Sequence, residues 1–144
     1  MHTTNYFNTF ITVADDCPVN VAEIPPQKAK KTAANIAFEM IRNHPYQYTS
    51  DEVLFQVYIL KNNILEIDWN TEKQSFFSKG QACFRSSSLA KRYGWGIHYD
   101  AEGKMAIYAV ESEKYSKLSQ NEHLKIVKAM RSKRGGGYKK NVFL

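Results

Sequence analysis

The chain has 144 residues, 43% of them hydrophobic and 24% charged, with a net charge of +6. That is the size and composition of one ordinary globular domain, able to bury a core without disulfides or a structural metal. No apolar run approaches the roughly 18 residues needed to cross a bilayer.

The opening MHTTNYFNTF has neither the basic nor the apolar region of a signal peptide. Cys17 and Cys83 lie far apart with no CxxC and read as two free thiols, so a cytoplasmic protein is expected. Charge is unevenly spread: residues 1–72 carry 5 Lys/Arg against 9 Asp/Glu, and residues 73–144 carry 15 against 5. Such a surplus favours an anionic partner for the second half, unless folding lays the acidic half against the basic one.

In chain order, Tyr6–Val13 alternates and is rich in aromatic and β-branched residues, which predicts a strand. Val19–Lys31, with Pro25-Pro26 and three lysines, reads as a long surface loop. Thr32 caps a helix to about Asn43, with Ile36, Ala37, Met40 and Ile41 on one face, and Pro45 stops it. Thr49-Ser50-Asp51-Glu52 is a capping box that opens a helix Ser50–Lys61. Ile64–Trp69 reads as extended, and a short helix Glu72–Lys79 follows a second box at Thr71. Ser88 is expected to cap a short helix ending at Tyr93 before Gly94. Trp95–Tyr99 and Lys104–Val110 form a hairpin around the four-residue loop Asp100–Gly103. Ser112 caps a helix through Leu118, and Asn121 caps a last helix, Glu122–Arg134, with Ile126, Val127 and Met130 inward. Gly135–Leu144 lacks periodicity and reads as a flexible basic tail beyond a single globular domain, residues 1–134.

Seven stretches carry a resemblance: MHTTNYFNTF, AEIPP, YTSDEVLF, FFSKGQACFR, KRYGWGIHYDAEGKMAIY, VESEKY and KAMRSKR. Together they resemble a bacterial family of small stand-alone proteins, a domain of unknown function. The resemblance implies a bacterial single-domain protein and supplies no catalytic residue.

Two kinds of chemistry remain open on the residues themselves. Lys79, Arg85, Lys91 and Arg92 interleave with Trp95, Tyr99 and other rings, a pattern that attracts phosphates and stacks on bases. Lys125, Lys128, Arg131, Lys133 and Arg134 add a second basic element near the end. The competing reading is that the rings are core and the cations solvated. His98 sits two residues before Asp100 on a strand, which places the carboxylate to orient an acid–base imidazole, and Cys83 is a further candidate. Ser88-Leu89-Ala90-Lys91 matches S-x-x-K without its partner motifs, and neither a phosphate-binding loop nor a dinucleotide fingerprint is present. No His lies at a recognised metal spacing, so no metal and no cofactor are expected.

The expectation is an α+β fold: a small, mainly antiparallel sheet containing the 95–110 hairpin, with helices packed on one face. Function stays unknown at this stage. The first expectation is a small cytosolic binding protein for nucleic acid, a nucleotide or another phosphorylated small molecule. The alternatives are a small enzyme using His98 with nearby Lys/Arg, or a homodimeric interaction module. The oligomeric state is open, and no membrane partner is expected.

Overall fold

Two capping boxes begin the helices that carry the core. In the computed structural model, which describes residues 1–133, Thr32 Oγ1 accepts the Asn35 N–H while Asn35 Oδ1 accepts the Thr32 N–H. They open helix α1, Ala33–Asn43. Arg134 and Gly135–Leu144 lie outside the described residues. The buried Asn35 amide also donates to the carbonyls of Pro25 and Pro26, so the proline loop is pinned to the helix and Pro25 is buried. Thr49 and Glu52 make the second box at the start of α2, Ser50–Asn62. Left-handed Asn63 ends that helix.

Strands β1 (Thr9–Thr12), β2 (Trp95–Tyr99), β3 (Met105–Ala109) and β4 (Lys125–Lys128) form one sheet in the order β3-β2-β1-β4. β1–β2 and β2–β3 are antiparallel, and β1–β4 is parallel. With the helices this is a mixed α+β fold with a mostly antiparallel sheet.

The register sorts the side chains onto two faces. Ile11 pairs with Ile97 and Ile97 with Ile107, so these share a face with Trp95, Tyr99 and Met105. Ile36, Ala37, Phe38 and Ile41 of α1, Val53 and Val57 of α2, and Leu89 and Ala90 of α4 (Ser88–Lys91) pack in the same cluster. Phe10 pairs with His98 and His98 with Ala106, so these share the second face with Gly96 and Tyr108. There α5, Glu113–Ser119, lays Tyr115 edge-on against Phe10 with ring centroids 5.1 Å apart. Helices therefore do not all pack on one face: α5 lies opposite α1 and α2.

Several expected elements differ. The last segment is strand β4, not a helix over Glu122–Arg134. Asn121 makes a side-chain turn onto the His123 N–H, and the β-branched Ile126-Val127 pair lies alongside β1. Ile126 and Met130 consequently point outward, 40% and 51% exposed, and Ala129 is the buried residue. Glu66–Asp68 is a 3-10 turn running straight into α3, Trp69–Phe77, so Thr71 lies inside that helix and caps nothing. Ser87, not Ser88, caps α4 through the Leu89 N–H. β1 is also shorter than the Tyr6–Val13 expectation.

Gly96 decides how closely the second face closes. A Cβ there would lie 2.5 Å from both Phe10 Cζ and Tyr115 Cε2. Gly96→Ala is expected to cost roughly 1–3 kcal/mol by overpacking, measured by urea unfolding. A loss under about 0.5 kcal/mol would show that the two rings yield freely.

Candidate functional site

The residues after α1 run along the outer edge of β3. The Tyr46 N–H donates to Met105 O, the Met105 N–H donates to Tyr48 O, and Thr49 bridges Lys104. Tyr46 has φ 59°, left-handed backbone that a bulky aromatic residue rarely adopts. Strain of this kind persists where the surroundings over-determine it, and it concentrates at functional sites. Here it accompanies a ring set against His98 on the second face, centroids 5.5 Å apart and nearly perpendicular at 85°.

Tyr46 Oη is the centre of a three-membered relay. It lies 2.7 Å from His98 Nδ1 and 2.9 Å from Tyr108 Oη. Each of the three groups can donate or accept, so the chain of hydrogen bonds can run in either direction. His98 is half-buried, and its Nε2 makes no hydrogen bond with any described residue. Lys114 of α5 sits over Tyr108, its Nζ 5.9 Å from the ring centroid.

Burial is the main force holding the His98 pKa below the ordinary histidine value; the Lys114 charge adds to it and Asp100 opposes it. The imidazole is therefore neutral at pH 7. Burial, with the Tyr108 hydrogen bond, pushes the Tyr46 phenol up, so it stays protonated. The arrangement is a neutral imidazole with one nitrogen fixed, the other open and a cation alongside.

Of the residues singled out in the sequence, only His98 lies at this centre. Asp100 acts on it through space, because its Oδ1 is occupied by the N–H groups of Glu102 and Lys104, each at 2.9 Å, in the hairpin loop. Cys83 lies behind the sheet: its Sγ is 3.3 Å from Tyr6 Oη, and the Tyr6 ring packs on Tyr99, whose side chain faces away from His98. Burial and Cys83 push the Tyr6 phenol up to about 12. Tyr99 is fully buried, and its hydroxyl, close to Ser50, makes no hydrogen bond of ordinary geometry. Trp95 is 6% exposed, with its Nε1 donating to Glu23 O. Neither Trp95 nor Tyr99 offers an open ring face for stacking on a base.

The basic residues divide. Lys91 and Arg92 end α4, behind the sheet, and Lys79 follows α3 near the N-terminal segment. Lys125 and Lys128 stand at opposite ends of β4. Arg85 Nε donates to Lys128 O, and the Met130 N–H donates back to Arg85 O. Lys128 and Arg131 act on Asp15, and Lys133 meets Asp16 through its backbone N–H.

Sequence reasoning missed Tyr46, Tyr108 and Lys114. The expected four-residue loop would pair Trp95 with Tyr108 and put that ring on the wrong face; five residues separate Tyr99 from its partner Met105, so Gly96 pairs with Tyr108 and the ring joins the His98 face. Nothing local marks Tyr46 or Lys114, which arrive by tertiary packing. Among the described residues, no three His, Cys, Asp or Glu side chains cluster as a metal site, and no helix is long and apolar enough to cross a membrane.

Comparison with known proteins adds one match. Residues 1–135 fit the model of a family of unknown function, DUF6157. The chain belongs to that family. No curated protein and no solved structure matches it. The DUF6157 assignment bears out the resemblance read from the sequence motifs and carries no activity with it, so function rests on the geometry.

The electrostatics of the site can be read by NMR titration. His98 is expected to titrate below about 6.5. Lys114→Met should raise its pKa and Asp100→Asn should lower it, since the first removes a repelling cation and the second an attracting anion. Shifts of the reverse sign would show that these groups do not act on the ring.

Proposed function

We propose that this protein is a small acid–base enzyme, with His98 as the proton-transfer group and Lys114 holding an anionic group of a small substrate. The observation that carries the reading is the split use of the imidazole. Nδ1 is held by Tyr46 at 2.7 Å while Nε2 has no partner among the described residues. A base needs one nitrogen oriented and the other free, with a pKa near or below working pH. When Tyr46 Oη accepts from Nδ1–H, Nε2 carries the lone pair and takes a proton; Tyr46 and Tyr108 then spread the resulting positive charge along their hydrogen bonds. Lys114 favours a substrate bearing a carboxylate or a phosphate. The same cation adds to burial in keeping the free imidazole neutral, so binding of an anion would raise the His98 pKa and ready it to return the proton as an acid. A bacterial cytoplasmic setting, where thiols stay reduced, suits the two free cysteines.

The test is a panel of nitrophenyl esters with and without a free carboxylate or phosphate. Turnover should favour the anionic esters and rise with pH along an acid limb below about 6.5. His98→Gln should lower kcat by roughly 10²–10⁴-fold, and Lys114→Met should act mainly by raising KM for the anionic esters. Hydrolysis that survives His98→Gln would overturn the proposal. So would a panel in which nothing is turned over and nothing shifts the His98 ring resonances.

A further inference from the structure

The second basic element meets the acidic first half at one place. The backbone passes from β1 to Ala14, whose N–H donates to Ala90 O at the end of α4, and Asp15 and Asp16 follow. Asp15 Oδ1 takes Lys128 Nζ at 2.9 Å. Asp16 takes backbone donors: the Ser132 N–H reaches both of its oxygens at 3.2 and 3.0 Å, and the Lys133 N–H reaches Oδ2 at 2.9 Å. Two successive N–H groups aimed at one anion form the kind of concavity that binds phosphate elsewhere.

The surrounding charges fit the same description. The Lys128 hydrogen bond is the main cause holding the Asp15 carboxyl below the usual carboxylate range, and Arg131 adds to it. Desolvation works the other way on Asp16 and is outweighed by the Lys133 and Ser132 N–H groups together with Arg131. Arg85 Nε holds Lys128 O, which fixes the backbone at the end of β4. Lys133 makes no ion pair with a described residue. Two cations, Lys128 and Arg131, thus act on the two carboxylates.

We infer that residues 128–133 form a phosphate-binding site that Asp15 and Asp16 occupy as an intramolecular stand-in. A phosphate group brings up to two negative charges and three acceptor oxygens. It can take the Ser132 and Lys133 N–H groups and still reach Lys128 and Arg131, which one planar carboxylate cannot do alone. Because the internal carboxylates are tethered, they compete at an effective concentration of order millimolar or higher. The site is therefore closed to weak or dilute phosphates and opens to those that engage Lys128 and Arg131 at once. This site is separate from the His98 face and does not depend on the enzymatic reading.

The experiment uses the full chain with two probes, inorganic phosphate and a fluorescein-labelled oligothymidylate. In the wild type, tens of millimolar phosphate should shift the Ser132 and Lys133 amide resonances before those of the His98 face. Asp15→Asn/Asp16→Asn should tighten binding of at least one probe by about 10-fold or more, with the fold confirmed by circular dichroism. Lys128→Gln/Arg131→Gln in that background should remove the gain. A gain for the oligonucleotide alone, falling steeply with salt, identifies a nucleic-acid backbone as the phosphate source. A gain for both probes, or for phosphate alone, identifies a small phosphorylated ligand. The inference is overturned if wild-type amides at 132 and 133 ignore phosphate and neither probe gains. It is equally overturned if the gain persists without Lys128 and Arg131.

Discussion

Strand β1 is four residues long, yet it is bonded along both edges, antiparallel to β2 and parallel to β4. Its register with β2 puts Ile11 opposite Ile97 and Phe10 opposite His98. A slip of one residue would exchange the two faces, turning His98 into the hydrophobic cluster and an isoleucine out of it. The burial of Ile11 and Ile97, both at 0% exposure, is what forbids the slip. The position of the imidazole is thus a consequence of apolar packing on the other side of the sheet. Gly96 completes the constraint. Glycine weakens a strand, but here it leaves room for Phe10 and Tyr115 to meet, and that contact docks α5 and delivers Lys114.

The parts of the fold that could be read beforehand were those with a local physical cause. The Thr32 cap, the Thr49 capping box and the Ser112 cap rest on residues within a few positions of one another, and each forms as read, while the hairpin forms with a loop one residue longer than expected. The Glu122–Arg134 segment misled because Lys125, Ile126, Val127 and Lys128 satisfy a helical face and a strand about equally well. What decides between them is β1, more than a hundred positions earlier, offering free carbonyls and N–H groups along its second edge. For the site, the strand placement of His98 was legible and its partners were not. Tyr46 reaches it through a left-handed residue after a helix stop, a conformation no propensity scale assigns to tyrosine.

His98 and the Asp15–Asp16 loop show two uses of the same surplus of positive charge. Lys114 makes no ion pair with a described residue and acts on a neutral imidazole. Lys128 is matched to a carboxylate and acts on the connectivity of the chain. Three of the four ion pairs among the described residues, Lys31–Glu39, Lys104–Glu102 and Lys117–Glu113, join residues close in sequence and exposed to water, where such pairs contribute little.

The fourth pair differs in kind. Asp15 and Lys128 are 113 positions apart, and Asp16 adds three hydrogen bonds from Ser132 and Lys133 at the same junction. Without those carboxylates, Lys128 and Arg131 would lose the anion that both act on at the end of β4. β4 is also exposed along most of its length, so apolar burial contributes less to its attachment than to that of β2 or β3. Its outer edge carries lysines, which discourage further strand pairing. The acidic first half therefore does not neutralise the basic second half broadly. It supplies two carboxylates at the end of a weakly buried strand, and their bonds to Lys128, Ser132 and Lys133 there support the parallel pairing that completes the sheet.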